Sequence, residues 1–281
     1  MDMTNVMKGI EKEASERVQM NECDYIGEDG LWVCGKCHTP KQTRIAINGI
    51  NGVVQCLCKC EAEKRDAEDR EQKRKQRASK IEELKRLFAS DPDLKKCSFE
   101  NDDHANEELF TLARNYVKDF DKHYKSGKGL LLYGDVGSGK TFAAACIANA
   151  LSEHGYFCLI TDFKRLANVI GGIYEGRQEM LDQLNRFHLI VIDDLSSERD
   201  TEYMTELVET VVDARYRSGK PLIITTNQTA SELRRPSDVR RQRVHSRLYE
   251  MCYPYEVKGE DRRRRKLKES YHSAMKKLLG A

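Results

Sequence analysis

The stretch from Gly129 to Ala148, which reads GLLLYGDVGSGKTFAAACIA, constrains the fold more than any other part of the sequence. It begins with a short apolar run that is typical of a buried strand. A glycine-rich turn follows and matches the phosphate-binding P-loop pattern at every defined position. The Ala- and Ile-rich segment after the turn predicts a helix from Phe142 to Leu151. A chance glycine-rich turn is the alternative, but the flanking strand and helix are the context that this motif requires.

The P-loop residues predict a site for ATP and Mg²⁺. Glycines allow the backbone amides to approach the phosphates, and the helix N-terminus adds a partial positive charge. Lys140 is expected to reach the terminal phosphates, and Thr141 is expected to supply a hydroxyl to Mg²⁺. The predicted nucleotide-binding residues of the motif are Gly134, Asp135, Val136, Gly137, Ser138, Gly139, Lys140 and Thr141.

A second apolar run, Leu189–Ile192, ends in the paired acids Asp193 and Asp194. This is the pattern of a strand whose carboxyl end holds Mg²⁺, so we expect Asp193 to reach the metal and Asp194 to polarise the attacking water. The separation of Asp193 from Lys140 leaves room for a whole strand-and-helix unit. We therefore expect an extra strand between the two motif strands in the sheet, as in the ATPase branch that includes AAA+ and RecA proteins.

Polar residues after the P-loop and the paired acids extend the predicted site. A strand at Leu222–Thr225 ends close to Asn227, which could orient the attacking water as a sensor-1 residue does. A turn-forming asparagine after a strand is the alternative. Arginines cluster downstream at Arg234, Arg235, Arg240, Arg241, Arg243 and Arg247, and a basic run follows at 259–266. A run this basic is usually a solvated face, but beside a nucleotide it can also contact phosphates or bind nucleic acid.

The N-terminal part contains cysteines at metal-ligand spacing. Cys34 and Cys37 form a CxxC pair, and Cys56, Cys58 and Cys60 follow a predicted hairpin with turns at 48–49 and 51–52. This is the outline of a zinc ribbon, in which tetrahedral Zn²⁺ takes four of the thiols and serves a structural purpose. The spacing leaves the second pair open among the last three cysteines, and we choose Cys58 and Cys60. Reduced cysteines without a metal are the alternative.

The sequence also predicts how the domains are arranged. The first 20 residues have the spacing of an amphipathic helix, which either covers the next module or is a docking face. The segment 61–86 consists of helix formers of both charges and predicts a solvated connecting helix. We predict an N-terminal helix and zinc-ribbon-like domain over 1–60, a charged helical linker over 61–90 and an ATPase domain over 91–281.

Charge and hydropathy exclude several classes of protein. The chain has 48 Lys and Arg against 46 Asp and Glu, so its net charge predicts no partner. No segment has the apolar length of a membrane span, and the acidic, polar start differs from a signal peptide. We therefore expect a cytoplasmic protein without a membrane partner, in which clustered cysteines bind a metal rather than form disulfides.

Together, these motifs resemble those of the DnaC-type helicase loaders, an AAA+ clade that includes the IstB-type transposition helper ATPases. The resemblance covers roughly residues 97 to 270. The P-loop and the paired acids occur in many ATPases, and the Asp-Asp-Leu form with two later arginine segments narrows the match. The segments that carry the resemblance are Ser98-Phe99-Glu100, Gly134–Thr141, Ile192–Leu195, Thr225-Thr226-Asn227, Arg243–Leu248 and Gly259–Arg263.

The resemblance implies a fold and roles for residues. The fold is an AAA+ P-loop core, a parallel sheet flanked by helices with a reduced lid. Carried over by position, Asp194 and Asn227 would act on the water, and Arg247 would be an arginine finger that reaches a neighbour's nucleotide. Arg263 would be sensor 2, although Asp261 stands where that segment usually has serine.

The resemblance also implies a function. An N-terminal cysteine cluster looks like that of loaders from Gram-positive bacteria and their phages. In these proteins the N-terminal domain is implied to contact the replicative helicase, while the AAA+ domain binds ATP, single-stranded DNA and other copies of itself. We therefore expect an ATPase that loads the replicative helicase onto single-stranded DNA during replication initiation.

Two other functions remain open. An IstB-type transposition helper could use the same core to prepare target DNA. A zinc-dependent binding module whose ATPase has decayed is a third hypothesis, and the intact Lys140, Thr141, Asp193 and Asp194 argue against it.

Overall fold

The chain forms two compact units, Met1–Ser79 and Lys80–Ala281. The computed structural model describes residues 20–47, 50–89, 91–171, 176–195, 201–235 and 238–262, together with positions 264, 271, 275, 278 and 279. The helix predicted for the first 20 residues therefore lies outside the described residues, apart from its last position. No helix in the described ranges is long and apolar enough to cross a membrane.

The first unit contains short antiparallel strand pairs followed by a long helix. These elements are β1 (Tyr25–Ile26), β2 (Trp32–Val33), β3 (Gln42–Ile47), β4 (Ile50–Gln55) and α1 (Lys59–Phe88). β1 pairs with β2, and β3 pairs with β4. The turn predicted at 51–52 is wrong, because Asn51 and Gly52 are paired residues inside β4. The turn predicted at 48–49 lies outside the described residues.

Helix α1 corresponds to the connecting helix that the charged sequence predicts. It continues past the division between the units, and most of its side chains are exposed. Its last turns differ from the expectation of a fully solvated helix, because Ile81, Leu84 and Phe88 are buried in the core of the second unit. Their spacing places these three apolar side chains on one helical face.

The second unit is a parallel sheet with helices on both faces. Its strands are β5 (Gly129–Gly134), β6 (Cys158–Asp162), β7 (Leu189–Leu195), β8 (Leu222–Thr226) and β9 (Cys252–Val257). Its α-helices are α2 (Glu107–Lys118), α3 (Phe120–Ser126), α4 (Lys140–Glu153), α5 (Phe163–Gly171), α6 (Arg177–Leu184), α7 (Glu202–Arg217), α8 (Ala230–Arg234) and α9 (Val239–Met251). Two short 3₁₀ helices, Pro92–Lys96 and Phe99–Asn101, precede them.

The order of the strands determines where the site forms. The five strands are arranged β6-β7-β8-β5-β9, and all neighbouring pairs are parallel. The predicted parallel sheet flanked by helices is confirmed, and β8 is the strand that separates the P-loop strand β5 from the acid-bearing strand β7. Because parallel strands end at the same edge of a sheet, the carboxyl ends of β5, β7 and β8 lie together.

Apolar residues on both faces of the sheet hold these strand ends in place. The central strands are buried on both sides, which explains why their sequences are nearly continuous apolar runs rather than alternating ones. One face packs against a core that includes Phe88, Leu207 and Leu248. The other face packs against Phe110 and Ile147, on α2 and α4.

A buried arginine joins the other ends of two central strands. The guanidinium of Arg215 donates hydrogen bonds to the carbonyl oxygens of Phe187, His188 and Pro221, which directly precede β7 and β8. Burial lowers the pKa of Arg215 to about 9, so the group stays charged at neutral pH. These carbonyl oxygens take the place of water around the buried cation.

Candidate functional site

A cleft of about 270 Å³ opens at the carboxyl ends of β5, β7 and β8. Its lining includes the P-loop from Val136 to Thr141 together with Asp193, Asp194 and Asn227. The structure thus brings the P-loop, the paired acids and the predicted sensor-1 asparagine to one place. These are the groups that the sequence assigned to nucleotide, metal and water.

The P-loop follows a path that only glycine adopts easily. Gly134, Gly137 and Gly139 have φ angles of 123°, 77° and 98°, in the region that disfavours side chains. Lys140 begins α4, and its Nζ donates to the carbonyl oxygens of Gly134 at 3.0 Å and Asp135 at 2.6 Å. The ammonium group is therefore held across the loop, where the oxygens of a terminal phosphate could replace these carbonyls.

Hydrogen bonds connect the P-loop helix to the acid-bearing strand. Thr141 Oγ1 donates to Asp193 Oδ1 at 2.7 Å, and Thr225 Oγ1 donates to the same oxygen at 2.5 Å. The hydroxyl and the carboxylate that the sequence assigned to Mg²⁺ are thus neighbours. Hydroxyl, carboxylate and phosphate oxygens are the ligands that Mg²⁺ prefers, so this donor set fits the ion.

The second acid has an unusual backbone conformation. Asp194 has a φ angle of 57°, which is uncommon for a residue other than glycine and is often found at functional sites. Its backbone N–H donates to Thr225 Oγ1 at 2.9 Å, and its Oδ1 accepts a hydrogen bond from Asn227 Nδ2 at 3.2 Å. The two residues predicted to act on water therefore hold each other in position.

Arg262 lines the cleft, and the sequence did not single it out. Its backbone N–H donates to Gly137 O at 3.1 Å, and its guanidinium lies 3.1 Å from Asp103 Oδ1. A Cβ at Gly139 would lie 3.1 Å from the guanidinium carbon, so the arginine packs directly on the P-loop. Among the described residues, nothing forms a hydrogen bond with the buried Nη2 of Arg262.

The predicted sensor-2 residue, Arg263, lies outside the described residues and stays a prediction. Arginines occupy four consecutive positions, 262–265. Because no apolar neighbour in this run fixes which side chain faces inward, the sequence alone could not select Arg262.

Arg247 lies outside the cleft. It is on α9, and its Nη2 forms an ion pair with Asp213 Oδ1 on α7 at 2.9 Å. The Nη2 of Arg217 pairs with the other oxygen of the same carboxylate. The proposed role of Arg247 at a neighbour's nucleotide stays a prediction.

A second candidate site lies in the first unit. The Sγ atoms of Cys34, Cys37, Cys58 and Cys60 all lie within 4.8 Å of one another. A tetrahedral zinc ion with Zn–S bonds of about 2.3 Å would place its sulfurs about 3.8 Å apart, so the four thiols fit one ion. Cys56 points elsewhere, and its Sγ lies 3.6 Å from Pro40 O.

The surroundings of the four thiols differ. The Thr39 hydroxyl, 3.0 Å from Cys37 Sγ, helps to lower the pKa of this thiol to about 5. The backbone N–H of Cys60, in the first turn of α1, also donates to this sulfur. Burial raises the pKa of Cys58. Since metals bind thiolates, the lowered pKa prepares Cys37 for the metal ion that this cluster could hold.

Comparisons with known proteins agree with this geometry. The profile of the family described as IstB-like ATP binding protein matches residues 40–270. The replicative helicase loader DnaI of Bacillus subtilis (strain 168) is 23% identical over 278 residues, which cover 94% of this chain and 85% of DnaI. The replicative helicase loader DnaC of Escherichia coli (strain K12) is 26% identical over 167 residues, which cover 57% of this chain and 67% of DnaC.

A solved structure shows the same similarity to a helicase loader. The crystal structure of the DnaC helicase loader matches with a TM-score of 0.51 and 26% identity, over 60% of this chain and 100% of that one. The resemblance that the motifs predicted, to DnaC-type loaders in a clade that includes IstB, is therefore confirmed.

Proposed function

The chain belongs to the family of IstB-like ATP binding proteins, and from this premise we propose that it is an ATP-dependent loader of the replicative DNA helicase onto single-stranded DNA. The observation that carries the proposal is the similarity to DnaI, because it extends over 94% of the chain. A match confined to the P-loop core would support an ATPase of any purpose. Similarity along nearly the whole chain also includes the cysteine-containing first unit.

The cleft supports ATP binding in this proposal. Backbone amides of the P-loop and Lys140 would hold the phosphates, and Thr141 and Asp193 would hold Mg²⁺, which neutralises the charge on the phosphates. The Nη2 of Arg262, which forms no hydrogen bond with any residue that the structure describes, is a buried cationic donor beside the loop. Such a group favours an anion, so we assign Arg262 to the bound phosphates.

We assign hydrolysis to Asp194, near the end of β7, and to Asn227, which directly follows β8. The Asp194 carboxylate would accept a hydrogen bond from the attacking water, and Asn227, which is bonded to that carboxylate, would fix its direction. Arg247 would come from a neighbouring copy and stabilise charge on the transferred phosphoryl group. Self-association through the AAA+ domain is therefore part of the proposal.

The first unit would serve the partner rather than the nucleotide. A zinc ion held by Cys34, Cys37, Cys58 and Cys60 would be structural, because four thiolates leave no position open for catalysis. We assign this unit to contact with the replicative helicase. The second unit would then bind ATP and single-stranded DNA.

An IstB-type transposition helper is the second candidate, and the family description favours it. The two functions differ in the protein partner. A loader binds a hexameric helicase, whereas a transposition helper acts with a transposase on target DNA. The intact hydrogen-bonded set around Asp193 and Asp194 argues against a decayed ATPase.

Co-purification tests the proposal. Tagged full-length protein and a version that lacks residues 1–79 are each mixed with the host's replicative helicase and ATP. We expect the full-length protein to retain the helicase and the shortened version to lose it while still binding ATP. Failure of the full-length protein to retain the helicase would reject the loader and leave the second candidate.

A further inference from the structure

A buried ion network lies beside the four cysteines. The side chain of Lys41 is completely buried, and its Nζ lies 2.7 Å from Asp24 Oδ2 and 2.9 Å from Glu61 Oε1. Lysine is almost never fully buried unless its charge is paired. A buried ion pair is also weak evidence for stability, because apolar residues of similar volume in its place often stabilise a protein at least equally. The network therefore calls for a specific explanation.

One end of the network holds the first cysteine pair. Asp24 Oδ1 accepts a hydrogen bond from the backbone N–H of Gly35 at 3.3 Å, between the ligands Cys34 and Cys37. The chain is so close here that a Cβ at Gly35 would lie 1.8 Å from the Cys23 carbonyl oxygen. Asp24 thus fixes the loop that carries the first two thiols.

The other end of the network holds the second cysteine pair. Glu61 follows Cys60 directly in the first turn of α1. Its backbone N–H donates to Cys58 Sγ, and its carboxylate accepts a hydrogen bond from the backbone N–H of Cys58, so both bonds persist when Cys58 is a thiolate. Lys41 itself is fixed by its backbone, which donates to Trp32 O and accepts from Cys56 N–H. Lys41 therefore lies between the two halves of the cysteine cluster. It is bonded to Asp24, which holds the first cysteine pair, and to Glu61, which adjoins the second.

We propose that Lys41 is a positioning residue of the metal site. It sets the distance between the Cys34–Cys37 loop and the segment at the start of α1, where Cys58 directly precedes the helix and Cys60 lies in its first turn. Groups that orient metal ligands from outside the coordination sphere commonly change metal affinity by about 10–100-fold when removed. Because it concerns only the first unit, this inference does not depend on the loader function.

The test compares two lysines of the full-length protein. Lys41→Met removes the buried charge, and Lys59→Met removes an exposed one that lies between two ligands in the sequence. Zinc affinity is measured by competition with a coloured chelator, and cobalt spectra report the number of thiolate ligands. We expect zinc affinity to fall about 10–100-fold in Lys41→Met and to stay at the wild-type value in Lys59→Met.

A third variant separates positioning from stability. Lys41→Met alone leaves the buried carboxylate of Asp24 and the partly exposed carboxylate of Glu61 without a cation, which can destabilise the unit by itself. Asp24→Asn/Lys41→Met/Glu61→Gln removes all three charges. We expect this variant to melt at a higher temperature than Lys41→Met and yet to keep the weakened zinc affinity, because the connection between the two halves is still missing.

Three results would overturn the inference. Wild-type zinc affinity in the triple variant would show that the network acts on stability alone. An equal loss in Lys59→Met would show a general effect of charge. A wild-type protein that binds neither zinc nor cobalt would remove the metal site itself, and the loader proposal would still stand on helicase retention.

Discussion

The two candidate sites of this chain are held in place by different interactions. The nucleotide cleft lies on strands that are buried on both faces and packed between two apolar cores. In the described part of the first unit, Leu31, Cys34 and Cys58 are the buried apolar residues, and two of them are proposed metal ligands. The cleft thus rests on a hydrophobic core, whereas the cysteine cluster lies beside buried charges and would depend on the proposed metal ion.

The two sites also differ in completeness. All four proposed zinc ligands come together within one chain. Of the residues proposed for hydrolysis, Asp194 and Asn227 lie in the cleft, but Arg247 lies on α9 in an ion pair with Asp213. The proposed metal site is therefore self-contained, whereas the proposed ATPase site needs a second copy of the chain.

Removing the metal should have the largest effect and should separate the two units. Structural zinc contributes about 10–16 kcal/mol of apparent binding free energy in small modules, as much as the stability of a whole domain. We expect about one zinc per chain by elemental analysis, and we expect a chelator or Cys34→Ser to unfold the first unit and spare ATP binding. Limited proteolysis and a titration with labelled ATP measure both effects.

The exposed Cys23 provides the control for this experiment, since Cys23→Ser should change neither property. Freshly prepared protein without a metal, or parallel loss of ATP binding on chelation, would contradict the contrast between the units.

Arg247 tests whether the cleft needs a neighbour. Arg247→Ala should bind ATP normally and hydrolyse it about 10³-fold more slowly, because an arginine finger acts on the transition state. Mixing it with Lys140→Ala should restore some hydrolysis, since one copy supplies the intact site and the other the arginine. Arg217→Ala is the matched control, because Arg217 is exposed and pairs with the same carboxylate of Asp213. Equal rates in the two arginine variants would reduce Arg247 to a surface residue.

Two substitutions inside the cleft should separate binding from chemistry. Lys140→Ala removes a contact to the terminal phosphates and should weaken ATP binding. Asp194→Asn should bind ATP as the wild type does and hydrolyse it about 10²-fold more slowly, since an amide cannot accept the proton of the water. Equilibrium titration and steady-state turnover distinguish the two effects. A wild-type rate in Asp194→Asn would show that its assignment is wrong.

The smallest expected effect is on the pH dependence of the stability of the second unit. His245 is buried, a ring nitrogen lies 2.9 Å from Leu233 O, and burial lowers the pKa of the imidazole. His245 therefore takes up a proton more readily in the unfolded chain than in the folded one. The contribution of the neutral, buried His245 to the free energy of unfolding is complete above about pH 6.5 and is lost as the pH falls through the folded pKa. Melting curves at several pH values should show a smaller acid effect in His245→Gln. An unchanged pH dependence would exclude His245 as the cause.

Local patterns predicted which residues meet in the cleft. The P-loop, the paired acids and the strand before Asn227 each have a sequence signature, and parallel strand ends meet by geometry. The spacing left the second cysteine pair open, and the choice of Cys58 and Cys60 agrees with the structure, which brings them close to Cys34 and Cys37.

Pairings between distant charged residues were not predictable in this way. From the sequence alone, Lys41 and Arg215 would be placed on the surface, because both side chains are charged. The groups that pair with them in the buried state lie elsewhere in the chain. Arg262 is one of four adjacent arginines, so only the fold selects it. The Asn51-Gly52 pair has turn composition, but the pairing of β3 with β4 overrides it.

The most direct test of the central claim is helicase loading on circular single-stranded DNA. Purified helicase, this protein and nucleotide are incubated with the DNA, and the helicase that stays bound after a high-salt wash is measured. We predict that stable retention requires both this protein and ATP, and that it fails with Lys140→Ala and with protein that lacks residues 1–79. Equal helicase retention with and without ATP, or with and without this protein, would contradict the account.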